Sequence, residues 1–593
     1  MQRYVLPRAL RASVPRPCPH PGAQPAYRRG FHGSAWRNSE VVGSAAKQVP
    51  GDAEQTQPGV AAASPRRQQR ITISDILERR RKAGKLVALT AAASDSDMFK
   101  VSPPGDKPLA RRWDHMLSPE SASRAPCKLK QAARHLKNPG LISLGGGLPC
   151  PDNFPIESIS MRIPTVAGGF SEAETRAAGQ DVRVGKYDVR DTAADPEGGA
   201  VYDLSIALNY GQATGSAQML RFVTEHTELV CAPPYADWRS CLTVGSTGAL
   251  EQALRIFCDG RGRSDSVLTE EFSFSTAVET ALPLGLGVFG VPVDAEGLLP
   301  DAMDEMLRGW DPVRRGGRRK PHVLYTVPSG QNPTGATQGE ARRRAIYDVC
   351  RRHDVFILED EPYYFLQMPA YQRGRAAAAE TAPESTDQFL DGLIPTLLSM
   401  DVDGRVLRMD SFSKVVVPGS RLGWVTGSEQ VIERYIRHGE TCNQGPSGIS
   451  QVLLHKLLDE SWGHEGYLRW LMRLRAEYTR RRDVMMAACE DFLPREVVSW
   501  TPPRAGMFHW LKVDHTRHPD AASRSILNLE EDIFGRCIDS GVLVAPGSWF
   551  IAEHGSEPTG LYFRATFAAA TPENMTEAIR RFGEAVRQSF KLS

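Results

Sequence analysis

Seven short apolar segments alternate with helical patterns between Cys241 and about Glu440. In chain order they are CLTVGS, SVLTEE, GVFGVPV, HVLYTVP, VFILEDE, RVLRMDSF and RLGWVTGS. Strands that are buried on both faces have this continuous apolar character, and their alternation with helices indicates a mostly parallel sheet covered by helices. The predicted fold class is therefore α/β. Ligands of such sheets bind at the carboxyl ends of the strands.

A different pattern follows about Gly463. A long helix is predicted over residues 467–491, and three strand-like runs come after it: MFHWLKV, VLVAPGSWF and LYFRATF. We therefore predict a large domain over residues 136–455 and a smaller α+β domain over residues 456–593.

An N-terminal arm over residues 71–135 is expected to precede the large domain and to begin with a helix capped by Thr72 or Ser74. Two later stretches look inserted. Residues 172–199 are rich in Gly, Asp, Arg and Ala, and residues 372–385 contain a run of alanines. Compositions of this kind favour loops, so we expect both stretches to be surface loops.

The first 38 residues contain seven arginines and no acidic residue, which is typical of a mitochondrial presequence. The run RGFHGS, which begins at Arg29, resembles a fungal processing site, so cleavage is expected near Asn38. Residues 39–70 are rich in Gly, Ala, Pro, Gln and Ser and predict a disordered linker. A mitochondrial location is predicted, and a basic tail on a cytoplasmic protein is the alternative.

Bulk composition argues against several kinds of partner. The formal net charge is only +2, which gives no reason to expect nucleic acid. No apolar run approaches the roughly 18 residues that a membrane helix needs. The ten cysteines include no C-x-x-C pair, so a metal site is not predicted.

The sixth apolar run leads into the sequence Ser411-Phe412-Ser413-Lys414. Partial burial would lower the pKa of the lysine and favour the neutral amine that forms a Schiff base. Arg421 follows shortly after, and its guanidinium together with the nearby hydroxyls suits a dianionic phosphate. An S-x-S-K sequence alone is more typical of a surface lysine.

Polar side chains also follow the fourth and fifth runs. Asp360 ends VFILEDE, where a buried carboxylate would keep a pyridine nitrogen protonated, and Tyr363 could donate a hydrogen bond to a phenolic oxygen. The alternative is a solvated acidic strand end. Asn332 lies in an N-P-T-G turn and offers both a donor and an acceptor.

The remaining candidates lie near the ends of other runs. Ser246 and Thr247 stand at a predicted helix N-terminus, which favours an anion, although many glycine turns look alike. Phe274 could stack on a flat ring or belong to the core. Arg564 interrupts an apolar strand and requires an anionic partner, either a ligand or an internal salt bridge. Each alternative is plausible alone, but all of them together in this order would be an improbable coincidence.

Several long strings resemble the fold-type I pyridoxal-phosphate-dependent aminotransferases of class I/II. The similarity is closest to fungal aromatic amino acid aminotransferases and to kynurenine/2-aminoadipate aminotransferases, and it extends from about Pro126 to the C-terminus. The strings are LISLGGGLP, LNYGQATG, TVPSGQNPTG, EDEPYYFLQM, RMDSFSKVVVPGSRLGW, AGMFHW and VLVAPGSWF. The resemblance implies an aspartate-aminotransferase-like large domain and pyridoxal 5'-phosphate as cofactor.

The same resemblance implies a role for each candidate residue. Lys414 would hold the cofactor as a Schiff base, with Asp360 on the pyridine nitrogen and Tyr363 and Asn332 on the phenolic oxygen. The residues that would surround the phosphate are Ser246, Thr247, Ser411, Ser413 and Arg421. The residues that would contact the ring or the substrate are Phe274, Arg564, Asn332 and, by its backbone, Gly147. Tyr210 would reach the phosphate of a partner subunit, which makes a homodimer the expected functional unit.

The activity that the resemblance implies is transamination of an aromatic amino acid (tyrosine, phenylalanine or tryptophan) with 2-oxoglutarate as amino acceptor. The amine of Lys414 would move the proton from the substrate Cα. 2-Aminoadipate and kynurenine are further possible donors. The alternatives are other chemistry on the same cofactor, such as β-elimination or C–S lysis, and a ligand-sensing regulator. The regulator would need a DNA-binding module, for which residues 71–125 offer only one convincing helix.

Overall fold

The computed structural model describes residues 70–87, 90–102, 105–138, 140–188, 200–374 and 385–592. The predicted presequence and nearly all of the predicted linker lie outside these residues. The α-helices are α1 (Ile73–Ala83), α2 (Pro119–Ser123), α3 (Lys128–Ala132), α4 (Glu172–Ala178), α5 (Leu204–Ala207), α6 (Ala217–Cys231), α7 (Gly245–Phe257), α8 (Ser275–Ala281), α9 (Pro300–Arg308), α10 (Glu340–His353), α11 (Thr386–Asp391), α12 (Leu397–Met400), α13 (Glu429–Cys442), α14 (Gly448–His455), α15 (Gly463–Phe492), α16 (Ile526–Asp539) and α17 (Pro572–Phe590). A π-helix, Lys456–Trp462, joins α14 to α15.

The β-strands are β1 (Leu86–Val87), β2 (Ser158–Ile163), β3 (Gln180–Gly185), β4 (Ala200–Val201), β5 (Trp238–Thr243), β6 (Ser266–Glu270), β7 (Gly287–Val291), β8 (Val293–Asp294), β9 (Gly297–Leu298), β10 (Val323–Thr326), β11 (Phe356–Asp360), β12 (Val406–Ser411), β13 (Gly423–Ser428), β14 (Val498–Trp500), β15 (Phe508–Val513), β16 (Ala545–Pro546) and β17 (Leu561–Thr566).

A seven-stranded sheet forms the centre of the molecule, in the order β5-β13-β12-β11-β10-β6-β7. β13 runs antiparallel to both of its neighbours, β5 and β12, and the other four strand pairs of this sheet are parallel. Each of the seven apolar runs supplies one of these strands, and every residue of β6, β10, β11, β12 and β13 is buried. The predicted mostly parallel α/β sheet is therefore confirmed.

Alternate side chains of the central strands enter separate cores on the two faces of the sheet. On β10, Val323 and Tyr325 belong to one buried cluster, whereas Leu324 belongs to another. On β11, Leu358 packs in the first cluster and Ile357 in the second. The face that carries Tyr325 is also the face covered by α7, which begins directly after β5.

A second, antiparallel sheet has the order β14-β15-β17-β16 and lies in the C-terminal part of the chain. The helix predicted over residues 467–491 falls within α15, and MFHWLKV and LYFRATF supply β15 and β17. The run VLVAPGSWF contributes only the short β16, which a 3-10 helix, Gly547–Phe550, follows. The domain boundary at residues 455/456 stays a prediction.

The N-terminal arm begins with α1, as predicted. Thr72 caps the helix through a capping box, in which its hydroxyl accepts from the Asp75 backbone N–H at 3.2 Å and the Asp75 carboxylate accepts from the Thr72 backbone N–H at 2.7 Å. Arg80, on the buried side of α1, pairs with Glu225 of α6 at 2.5 Å and with Asp459 of the π-helix at 2.6 Å. The arm is therefore fastened to the large domain by a buried ionic cluster.

The stretch at residues 172–199 was expected to be a surface loop, and this prediction is wrong for its first half. Residues 172–178 form α4, with a capping box between Ser171 and Glu174, and β3 pairs antiparallel with β2. Val182 and Val184 alternate inward along β3 and are buried. Residues 189–199, and residues 375–384 of the other predicted loop, lie outside the described residues.

No helix in the described ranges has the length and apolar content required to cross a membrane.

Candidate active site

Lys414 lies in a turn that directly follows β12. The backbone N–H groups of Val416 and Val417 both donate to the carbonyl of Phe412, at 2.9 and 3.1 Å, and so close the turn. The Lys414 side chain is half-buried, and burial, followed by the positive charges of Arg421 and Arg564, lowers the pKa of its amine. The turn thus favours the neutral, nucleophilic amine that the sequence predicted.

The first turn of α7 faces Arg421. No side chain in the described part of the chain caps this helix end, so its first N–H groups remain available to a ligand. A Cβ on Gly245 would lie 2.5 Å from Nη2 of Arg421, and Gly245 has a φ of +69°. Glycine is therefore required for the guanidinium to approach the start of the helix. The buried hydroxyl of Ser246 makes no hydrogen bond of good geometry to a described residue, but it lies close enough to Asp360 to help lower the pKa of that carboxyl; Thr247 is exposed.

Two serines complete the polar group around Arg421. The Ser411 hydroxyl donates to the Ser413 hydroxyl at 2.9 Å, and Nη1 of Arg421 donates to the Ser413 hydroxyl at 3.2 Å and to the Pro418 carbonyl at 2.8 Å. The structure thus brings the predicted phosphate residues together. A guanidinium, several hydroxyls and an uncapped helix N-terminus form a site for a dianion such as a phosphate.

Asp360 is buried at the end of β11, and one of its two oxygens is open. Its Oδ2 accepts a hydrogen bond from the Tyr325 hydroxyl at 2.9 Å, whereas its Oδ1 has no partner within the described ranges. Burial raises the pKa of Asp360 to about 6, although the hydroxyls of Tyr325 and Ser246 oppose the rise. A buried carboxylate with one unpaired oxygen fits the protonated nitrogen of a pyridine ring.

Tyr325 was not identified from the sequence. A tyrosine inside a fully buried strand needs a hydrogen-bond partner for its hydroxyl, and this requirement could have identified Tyr325 as a candidate site residue. The alternation of side chains along β10 and β11 places Tyr325 and Asp360 on the same face of the sheet.

A network of buried charges, also missed from the sequence, lies on the other face of the sheet. Arg408 donates to both oxygens of Asp410 at 2.8 Å, and its Nη1 lies 3.5 Å from Glu359. Arg343 donates to Glu361 at 3.0 Å. Burial raises the pKa of Glu361 to about 7. An Arg and an Asp two residues apart in a buried strand were the signal for this network.

Arg564 extends from β17 toward Asn332, and its Nη1 donates to the Asn332 side-chain oxygen at 2.7 Å. The guanidinium carbon lies 4.4 Å from the ring centre of Phe508 and 4.6 Å from that of Phe550. No carboxylate of the described residues forms an ion pair with Arg564. The internal salt bridge considered from the sequence is therefore not seen in this part of the chain, and the half-buried cation remains available to an anionic ligand.

Tyr363 and Phe274 are the two aromatic residues among the predicted cofactor contacts. Tyr363 is buried, and its ring meets Phe508 edge-on at 5.8 Å. Burial, followed by the charge of Asp360, raises the pKa of Tyr363, so its hydroxyl stays protonated and can donate a hydrogen bond. Phe274 is half-buried at the N-cap of α8 and packs against the main core.

Gly147 and Tyr210 are exposed in the single chain. Tyr210 is 55% exposed, and a Cβ on Gly147 would contact nothing within 4 Å. Within the described ranges, the structure records no contact between either residue and the group around Lys414.

The edge of the sheet therefore combines the amine of Lys414, a dianion site around Arg421 and the carboxylate of Asp360, which suits a pyridinium nitrogen. The guanidinium of Arg564, which has no ion-pair partner among the described residues, lies nearby. This set of groups is characteristic of an α/β enzyme that works with a phosphorylated pyridine cofactor.

Comparisons with known proteins agree with this class. A family model described as aminotransferase class I and II matches residues 238–582. An aromatic amino acid aminotransferase of Schizosaccharomyces pombe is 43% identical over 480 residues, covering 80% of this chain and 98% of that protein. An L-tyrosine:2-oxoglutarate aminotransferase of Tapinella panuoides is 32% identical over 530 residues, covering 82% of this chain and 98% of that protein. The crystal structure of aminotransferase Aro8 from Candida albicans matches with a TM-score of 0.75 and 40% identity, covering 82% of this chain and 100% of that chain.

The chain belongs to the class I and II aminotransferase family. It is an aminotransferase with pyridoxal 5'-phosphate as its cofactor, and it has the predicted aspartate-aminotransferase-like fold. Oδ1 of Asp360, which makes no hydrogen bond of good geometry to any described residue, fits the pyridine nitrogen of this cofactor.

Proposed function

We propose that this aminotransferase transfers the amino group of an aromatic amino acid to 2-oxoglutarate. The Schizosaccharomyces pombe relative is named for aromatic amino acids, and the Tapinella panuoides relative is named for L-tyrosine and 2-oxoglutarate. Both similarities extend over nearly the whole relative and about four-fifths of this chain.

The main structural support for this proposal is the position of Arg564 in the site. Amino acid and 2-oxo acid substrates share a carboxylate, and a half-buried guanidinium with no ion-pair partner in the described part of the chain suits that group. Its side chain also contributes to lowering the pKa of Lys414, which indicates that the two groups are close. Arg564 would bind the substrate carboxylate and so orient the Cα–H bond toward Lys414.

Lys414 would act as the base that removes the proton from the substrate Cα and later returns a proton to product. Its lowered pKa favours the neutral amine, which is the form that accepts a proton. When bound, the cofactor carries the amino group between the two half-reactions and delocalises negative charge from Cα.

The other predicted residues would hold the cofactor. Asp360 would accept a hydrogen bond from the pyridine nitrogen through Oδ1, while Tyr363 and Asn332 would reach the phenolic oxygen and Phe274 would stack on the ring. The proposed phosphate residues are Ser246, Thr247, Ser411, Ser413 and Arg421.

We expect the functional unit to be a homodimer. Leu141, Ile142 and Leu144 are 49%, 86% and 95% exposed in the single chain, and they adjoin Gly147. A second copy that covers this apolar segment would also place Tyr210 in contact with another subunit. Light scattering should give the mass of a dimer, and a stable, active monomer would contradict this proposal.

The basic N-terminus supports a mitochondrial location. Residues 1–45 fused to a fluorescent reporter should direct it to mitochondria, and a diffuse cytosolic signal would contradict import.

Replacement of Lys414 tests the role of this lysine. Lys414→Ala should lose the visible absorbance of the lysine-bound cofactor, and turnover should fall by at least about a hundredfold. The control is Lys512→Ala, which removes an exposed lysine of β15 and should preserve both properties. Full activity in Lys414→Ala would refute the assignment.

A panel of amino donors tests the substrate class. Tyrosine, phenylalanine, tryptophan, 2-aminoadipate and kynurenine should be assayed with 2-oxoglutarate by glutamate formation. The highest kcat/KM is expected for an aromatic donor. Ammonia release without a 2-oxo acid would instead indicate elimination or C–S lysis.

A further inference from the structure

Three aromatic rings form a cluster outside the groups described above. Trp462, the last residue of the π-helix, stacks on Trp470 of α15 with 5.6 Å between ring centres and 29° between ring planes. Phe170 meets both indoles edge-on, at 5.6 and 5.7 Å. Phe170 lies between β2 and α4, in the part of the chain whose regular structure was not predicted.

The two indole N–H groups of this cluster donate in different directions. Nε1 of Trp462 donates to the Pro164 carbonyl at 2.8 Å, in the segment that follows β2. Nε1 of Trp470 donates to the Val415 carbonyl at 2.6 Å. Val415 is the residue next to Lys414, so one indole holds the β2–α4 segment and the other holds the turn of the lysine.

The Val415 carbonyl connects the turn that carries Lys414 to α15. The turn's internal hydrogen bonds run from Val416 and Val417 to Phe412 and so do not use the Val415 carbonyl. The Trp470 indole links this carbonyl to α15, a helix of 30 residues. Since the anchored carbonyl belongs to the residue that follows Lys414, loss of the anchor would let the backbone that carries the amine shift.

We infer that Trp470 is a positioning residue for Lys414. This inference rests on the proposed role of Lys414. The indole N–H holds the backbone of the turn that carries the amine, and Trp470 itself would not contact substrate.

Two matched substitutions test the inference. Trp470→Phe and Trp462→Phe each remove one indole N–H from the same stack and retain an aromatic ring. Trp470→Phe should lower kcat by about three- to tenfold, the worth of one net hydrogen bond, with little change in KM. It should also change the pH midpoint of the visible absorbance of the lysine-bound cofactor, measured without substrate. Trp462→Phe should change neither property.

Thermal unfolding separates positioning from packing, because both variants lose a similar amount of ring contact and should lower Tm to a similar extent. An unchanged pH midpoint in Trp470→Phe, or equal changes in both variants, would overturn the inference. A failure of this inference can be told apart from a failure of the proposed role of Lys414. If Lys414→Ala keeps the visible absorbance, the proposed function fails. If Lys414→Ala is inactive but Trp470→Phe changes neither kcat nor the pH midpoint, only the role of Trp470 is refuted.

Discussion

Tyr325→Phe removes the hydroxyl that donates to Oδ2 of Asp360 at 2.9 Å and leaves the ring in the core. A hydrogen bond to a charged group contributes about 1.5–3 kcal/mol, and about 1.36 kcal/mol corresponds to one pKa unit. The bond favours the ionised carboxylate, so its loss should raise the pKa of Asp360 from about 6 to between about 7 and 8.

The higher pKa should weaken cofactor binding in a defined pH range. Pairing with a protonated pyridine nitrogen requires ionised Asp360, so affinity falls as the pH drops below the pKa of this group. With a pKa of about 7.5, the variant should bind about eightfold more weakly than the wild type at pH 6.5 and almost equally at pH 8.5.

The assay is titration of the apoprotein with pyridoxal 5'-phosphate between about pH 5 and pH 9, followed by visible absorbance. Tyr347→Phe is a matched control, because the Tyr347 hydroxyl donates to a buried aspartate, Asp401, at the same distance of 2.9 Å but outside the site. A pH-independent ratio of affinities, or a shift of the acidic limb to lower pH, would refute the reasoning about Tyr325.

Two further substitutions follow from the structure. Gly245→Ala places a Cβ 2.5 Å from Arg421 in a left-handed backbone position, so cofactor affinity should fall about ten- to hundredfold by spectroscopic titration. Gly248→Ala makes only ordinary contacts and should bind normally; equal effects would contradict the close approach of Arg421. Arg80→Ala removes the guanidinium partner of the buried Glu225 and one of the two guanidinium partners of Asp459, which keeps Arg221 at 3.0 Å; it should cost about 3 kcal/mol of unfolding free energy in urea at pH 7. The exposed Arg81→Ala should cost less than about 0.5 kcal/mol.

The effect of Arg80 on stability should depend on pH. Although burial opposes it, the positive charge of Arg80 lowers the pKa of Glu225 in the folded chain. The stability that the pair contributes is therefore present above the ordinary pKa of the carboxyl and is lost as the pH falls through its folded pKa. The difference between Arg80→Ala and the wild type should shrink on acidification, and a difference that grows would contradict the pairing.

The central sheet was predictable because strands buried on both faces appear as continuous apolar runs. Lys414 and Asp360 were predictable in turn because polar side chains that end such runs meet at one edge. The pairing of Tyr325 with Asp360 was not, since strand alternation gives the face of a side chain but not its partner. β3 was missed because only Val182 and Val184 mark it within a polar stretch. The predicted role of Tyr210 would require a second copy, and Gly147 makes no recorded contact with the group around Lys414 among the described residues.

The two faces of the sheet are linked by the balance of charge at the end of β11. On the far face, three carboxylates (Glu359, Glu361 and Asp410) accompany two guanidinium groups (Arg343 and Arg408), which leaves one excess negative charge if all are ionised.

Asp360 adds a second negative charge on the near face. Burial raises the pKa of Asp360, and of the far-face charges Asp410 adds to the rise whereas Arg408 opposes it. A protonated pyridine nitrogen against Oδ1 would offset one of these charges. Burial, the main cause of the raised pKa, thus disfavours ionised Asp360 unless a cation lies beside it, so the buried end of β11 is suited to a pyridinium ring.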